Sequence, residues 1–141
     1  MEIAVIDAQG AGIGKTVIME IRKAFGGKVT IVALGTNPVA CRNMVESGAD
    51  LGFHQEKELI DYLRGGTMDC LIGPVGILSS GGILGEITPQ LSRLVFGADC
   101  RKYIIPLNLH GIFIPGTQDL KIKDSLLMII RDIQETFLNF P

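Results

Sequence analysis

The sequence predicts a three-layer α/β domain, a doubly wound and mostly parallel sheet of about five strands with helices on both faces. Three observations carry that expectation. Short β-branched runs alternate with amphipathic segments along the whole chain. The runs are apolar at successive positions, as in strands covered on both faces, not at every second one. Glycine clusters and cap-plus-proline pairs punctuate the joints between them.

The elements follow in order. Ile3 to Ile6 is a buried strand closed by Asp7 and a glycine cluster. Ile13, Val17, Ile18, Ile21 and Phe25 recur at helical spacing, and Gly26-Gly27 ends that helix. Lys28 to Leu34 is the second strand. Asn37 caps the next helix with Pro38 at its first position, where proline's missing N–H is not needed. That helix runs to about Ser47, with Gly48 as its stop. Ala49 to Phe53 is a weak third strand, and Glu56 to Leu63 a short helix ending at Gly65-Gly66. Asp69 to Gly73 holds the fourth strand. Thr88-Pro89 opens a helix to about Phe96. Lys102 to Leu107 is the fifth strand, and Ile112 to Ile114 is expected to extend the sheet as a short sixth. The last helix is expected from about Asp119 to Phe140. The winding is Rossmann-like or flavodoxin-like, since both share this pattern of elements.

Composition narrows the function. At 141 residues the chain is expected to be one domain, residues 1–141, by the usual ~100–200 residues per domain. With 13 basic against 15 acidic residues, no cationic excess supports nucleic-acid binding. Cys41, Cys70 and Cys100 lie about thirty residues apart with no metal-binding spacing, which reads as ordinary thiols in a reducing cytosol. The start, Met1-Glu2-Ile3-Ala4-Val5-Ile6-Asp7, lacks the basic n-region of a signal peptide. Lys121, Lys123, Asp124, Arg131, Asp132 and Glu135 break the apolar C-terminal stretch well short of the ~18 residues of a membrane span. The expected location is the cytoplasm, away from membranes.

Chemistry concentrates after the strands. Asp7-Ala8-Gln9-Gly10-Ala11-Gly12-Ile13-Gly14-Lys15-Thr16 joins the first strand to the first helix. Glycines there let a backbone approach phosphate oxygens, and a helix N-terminus offers unpaired N–H groups. Gly14-Lys15-Thr16 fits the end of a P-loop, but Gln9 stands at the leading glycine. Strict G-x-G-x-x-G also fails, at Lys15. The bland alternative is a turn that uses glycine only to pack helix on strand. After the second strand, Gly35-Thr36-Asn37 offers no acid to a ribose hydroxyl, which leaves room for NADP, a mononucleotide or another small anion.

A second glycine-rich loop of thirteen residues, Gly73 to Gly85, precedes Glu86. Loops of that length inside a compact domain are usually functional. Glu86 is a lone acid in an apolar stretch; desolvation there would raise its pKa and suit it to acid–base work. Its plain alternative is a charge favoured by the following helix N-terminus. Asp7 and Glu86 are therefore the candidate catalytic carboxylates. Gln9, Gly10, Gly12, Gly14, Lys15, Thr36, Asn37, Gly73, Gly76 and Asn108 are the candidate cofactor-binding set. His110 is most simply a solvated loop histidine, and no Ser-His-Asp set can be placed.

Two resemblances add to this reading. Gly12-Ile13-Gly14 is similar to the glycine loop of short-chain dehydrogenases, although Ala8 replaces that family's first glycine. Its Tyr-x-x-x-Lys pair is missing, since Gly66 follows Tyr62 and Leu107 follows Tyr103 at that spacing. The set Ile3 to Lys15, Ala33 to Asn37, Gly73 to Ile77, Leu84 to Pro89 and Ile105 to Asn108 resembles a short bacterial family, domain of unknown function 3842. That resemblance covers nearly the whole chain. It implies a Rossmann-like fold in a cytoplasmic bacterial protein, and no reaction.

The expected function is binding of a nucleotide or phosphorylated metabolite at the carboxyl edge of the sheet, with NAD(P) or a mononucleotide as possible cofactor. The alternative is a regulatory or assembly module without turnover. A homodimer is expected, because Leu127, Met128, Ile130, Leu138 and Phe140 spread apolar surface beyond the one stripe that covers a sheet.

Overall fold

Five apolar runs of the sequence become the five strands of a single all-parallel sheet, in a computed structural model that describes residues 1–138. The strands are β1 (Glu2–Asp7), β2 (Thr30–Gly35), β3 (Leu51–Phe53), β4 (Cys70–Pro74) and β5 (Arg101–Ile105). The helices are α1 (Gly12–Phe25), α2 (Pro38–Glu46), α3 (Glu56–Gly65), α4 (Pro89–Gly97) and α5 (Ile122–Ile133). The spatial order is β3-β2-β1-β4-β5, the order of a Rossmann half-sheet and its continuation, which resolves the winding that the sequence left open. In register, Asp7 stands opposite Gly35, and Val5 opposite Ile72.

Strand alternation divides the core in two. Ile3, Val5, Ile31 and Ile72 point to one face and are covered by Val17, Ile18 and Ile21 of α1, Met44 of α2, and Leu126, Ile129 and Ile133 of α5. Ala4, Ile6, Val32 and Leu71 point to the other, under Leu59 and Leu63 of α3 and Leu91 and Val95 of α4. The chain changes faces between β3 and β4. The loops leaving β1 and β4 therefore diverge to opposite sides and leave a crevice between their carboxyl ends.

The caps form as expected. Asn37 Oδ1 accepts the Ala40 N–H at 2.8 Å with Pro38 at the first position of α2. Thr88 Oγ1 accepts the Leu91 N–H at 3.2 Å ahead of α4. Two expectations are corrected. Residues 112–114 form no strand: Ile112 lines a cavity instead, and Phe113 is exposed. The last helix begins at Ile122, where Asp124 Oδ2 accepts the Lys121 N–H at 3.0 Å, and passes at Gln134–Leu138 into a π-helical turn. Phe140 lies outside the described residues. On α5, Leu127 and Met128 are exposed, whereas Ile130, and Leu138 in the turn beyond, pack against the core.

Candidate functional site

The first glycine loop is built around Asp7. This buried carboxylate at the tip of β1 accepts the Ala8 N–H on Oδ1 and the Gly14 N–H on Oδ2, each at 2.8 Å. It thereby braces both ends of the loop. Burial pushes its pKa up; the Gly14 and Ala8 N–H groups pull it down, and the charge of Glu86 pushes it up again, leaving it raised. Gln9 and Ala11 adopt left-handed conformations, with φ of 54° and 55°. Alternating left- and right-handed residues turn successive N–H groups into one concavity, an arrangement suited to anions. Among the described residues, no acceptor takes the N–H of Gly10, Gly12 or Ile13.

The three glycines of this loop differ. A Cβ on Gly14 would lie 2.6 Å from Met44 Sδ and 3.1 Å from Asp7 Cβ, so packing of α1 against α2 and β1 explains it. A Cβ on Gly10 or Gly12 would meet nothing within 4 Å. Neither packing nor backbone conformation within this chain requires glycine at those two positions.

The second loop folds back on itself and delivers Glu86 to the first. Gly81 N–H donates to Ile87 O, and Ile87 N–H to Gly82 O, closing the turn. The Glu86 carboxylate then accepts Thr36 Oγ1 at 2.6 Å, Asn37 Nδ2 at 2.9 Å, the Gln9 N–H at 3.1 and 3.2 Å, and the Gln9 side-chain amide. Burial acts to raise the Glu86 pKa, but the donors from Thr36, Asn37 and Gln9 outweigh it and hold it below the usual glutamate value. The expected upward shift is therefore reversed, because the carboxylate is half-buried among donors and not in an apolar pocket.

Between the loops lies a cavity of about 490 Å³, within the ~300–1,000 Å³ of small-molecule sites. Its walls are residues 7–13, residues 74–76 with Ile83 and Leu84, and Leu107, Leu109, His110 and Ile112 after β5. It occupies the crevice between β1 and β4. All five left-handed non-glycine residues among those described, Gln9, Ala11, Ile83, Leu84 and His110, line it. Such conformations cost on the order of 1–3 kcal/mol each and cluster at ligand sites; a β-branched Ile83 at φ 50° is the most strained of these side-chain types.

Of the candidate residues, Asp7, Gln9, Gly10, Gly12 and Gly76 line the cavity. Thr36 and Asn37 lie behind it and hold Glu86. Gly14 and Gly73 serve packing; a Cβ on Gly73 would lie 2.7 Å from Ile77 Cδ1 and 2.8 Å from Ile6 O. Lys15 and Asn108 are exposed and outside the lining. Sequence reasoning missed Asn43, whose side-chain amide donates to Gly10 O at 3.0 Å and fixes the loop from α2. It also missed the apolar wall of Ile83, Leu84, Leu107 and Ile112. Among the described residues no group of His, Cys, Asp and Glu is placed to hold a metal ion, and no helix is long and apolar enough to cross a membrane.

A solved structure, the dodecameric FMN-dependent UbiX-like decarboxylase from Escherichia coli O157:H7, is similar to this chain. The similarity spans 97% of this chain and 94% of that one, at 12% identity and a TM-score of 0.56, which shows a shared fold. No curated protein matches the sequence. The model of the family described as Domain of unknown function (DUF3842) matches residues 2–138, and the chain belongs to that family.

Proposed function

We propose that the cavity binds a nucleotide or phosphorylated metabolite, with a phosphate on the N–H groups of Gly10, Gly12 and Ile13 and the body of the ligand against the apolar wall. One observation carries this reading. The N–H groups without an acceptor belong to residues lining a cavity, and two of those residues are glycines that nothing within the chain requires. An added side chain there would block only something that comes from outside. The N-terminus of α1 adds the partial positive charge that favours an anion. The FMN dependence of the similar decarboxylase is in keeping with such a ligand.

Asp7 and Glu86 serve this site first as braces. Both Asp7 oxygens already accept backbone N–H groups, and Glu86 already accepts several donors. Calorimetry against FMN, AMP, NAD, NADP and ATP tests the proposal. Saturable binding of at least one of them below millimolar concentration is expected. No heat from any of them at millimolar concentration, in a folded sample, overturns it.

A further inference from the structure

We infer that the cavity between the two glycine loops takes a phosphate monoester of an apolar group, its hydrocarbon body against Leu84 and Leu109, in preference to a ribonucleoside phosphate. This deepens the phosphate site proposed above and rests on it.

The wall of the cavity decides what the body of the ligand must be. Beyond the first glycine loop most of its side chains are hydrocarbon, those of Val75, Ile83, Leu84, Leu107, Leu109 and Ile112. No Phe, Tyr or Trp lines it to stack on a base. Its polar side chains are those of Asp7, Gln9 and His110. Both Asp7 oxygens accept backbone N–H groups, and the Gln9 amide nitrogen donates to Glu86. The Gln9 side-chain carbonyl and the exposed His110 ring are what remain. A nucleoside buried here would leave ring nitrogens, an amino group and hydroxyls short of side-chain partners, and each unpaired buried polar group is costly. A hydrocarbon body carries no such groups.

Leu84 takes the argument furthest. It is 75% exposed, belongs to neither core cluster and has a φ of 54°. Glycine or asparagine suits that backbone better. Packing within the chain therefore does not call for a leucine here, and the backbone argues against one. Leu109, 55% exposed, and Ile112 also belong to neither core cluster. Leu84 stands on the loop after β4, and Leu109 and Ile112 stand on the loop after β5. All three line the same cavity as Gly10, Gly12 and Ile13. An apolar body joined to a phosphate on those N–H groups would cover hydrocarbon surface that the chain alone leaves in water.

Calorimetry with methyl, butyl and hexyl phosphate, AMP and hexanol tests this. Each methylene fully buried tightens binding about fourfold. Hexyl phosphate is therefore expected to bind about thirtyfold or more tighter than methyl phosphate, with butyl phosphate between, and about tenfold or more tighter than AMP. Leu84→Asn removes the apolar contact and suits the left-handed backbone. It is expected to weaken hexyl phosphate about tenfold and to move methyl phosphate less than about threefold, without lowering Tm. Equal affinities along the alkyl series, or AMP as tight as hexyl phosphate, would overturn the inference and leave the phosphate site intact. So would a hexyl phosphate affinity unmoved by Leu84→Asn, including where light scattering shows that the substitution separates two copies of the chain. Hexanol binding as tightly as hexyl phosphate, or no binding by any of the phosphates, would overturn the phosphate site and this inference with it. The wild-type series needs no variant, so it decides the matter even where Leu84→Asn does not fold.

Discussion

Replacing Gly12 by alanine is expected to make the protein more stable and its ligand site worse. Gly12 is the first residue of α1, and an added Cβ meets no atom within 4 Å. Its φ lies outside the left-handed region, so alanine adopts the same backbone without strain. Restricting the unfolded chain then stabilises the fold by about 0.4–1 kcal/mol. For a domain near this size, that raises Tm by about 1–4 °C. The same Cβ enters the space in which a phosphate would approach the Gly12 N–H. Losing one hydrogen bond to a charged group costs about 1.5–3 kcal/mol, which is about a 10- to 150-fold weaker Kd. Thermal denaturation and calorimetry on one preparation read both effects. Gly14→Ala is the control: its Cβ would collide with Met44 and Asp7, and overpacking of this kind costs about 1–3 kcal/mol. The reasoning is refuted if Gly12→Ala destabilises the fold by more than ~1 kcal/mol, or if it leaves ligand affinity unchanged.

Three further outcomes follow from the same contacts. Asn37→Ala removes the cap of α2 and a donor to Glu86 together; urea denaturation is expected to show a loss of about 1–3 kcal/mol, and a loss below ~0.5 kcal/mol speaks against the shared role. Glu86 has its folded pKa depressed, so its contribution to stability is present above the ordinary value of 4.5 and is lost as pH falls through the lower folded value. Asp7, whose folded pKa is raised from 3.8, works in the opposite sense, losing stability as pH rises through its folded value. Glu86→Gln is therefore expected to flatten the fall in Tm below pH 4.5 relative to wild type, and an unchanged acid limb contradicts the assignment. The exposed Leu127 and Met128 of α5 are expected to be covered by a second copy of the chain, giving twice the 15.2 kDa chain mass by light scattering; a single-chain mass at micromolar concentration removes that expectation.

Much of the fold was legible because its signals are local. Strands covered on both faces read as continuous apolar runs, and Ile3 to Ile6 or Cys70 to Ile72 admit few other readings. Asn37-Pro38 and Thr88-Pro89 mark helix starts through side-chain chemistry within three residues. The crossover from β3 to β4, which sets the strand order, has no local signature. The run from Ile112 to Ile114 misled because a short apolar run reads as a strand even where one residue, Ile112, walls a cavity and the next, Phe113, is exposed. The glycine loop was legible as a loop, but its division of labour was not. Gly14 differs from Gly12 through contacts with Asp7 and with Met44, the latter thirty residues away. Glu86 meets Thr36 and Asn37 across about fifty residues, and no periodicity encodes that contact. Ile83 and Leu84 are residue types that argue against left-handed backbone, so their conformation is visible only in three dimensions.

The central claim is that the N–H groups of Gly10, Gly12 and Ile13 receive a phosphate. The most direct measurement follows the amide resonances of a nitrogen-15-labelled sample during titration with FMN, AMP and inorganic phosphate. The account predicts that these three amides shift together and saturate along a single binding curve, with the Gln9 amide, held by Glu86, moving less. Saturable shifts confined to other residues, with Gly10, Gly12 and Ile13 unmoved, would contradict it.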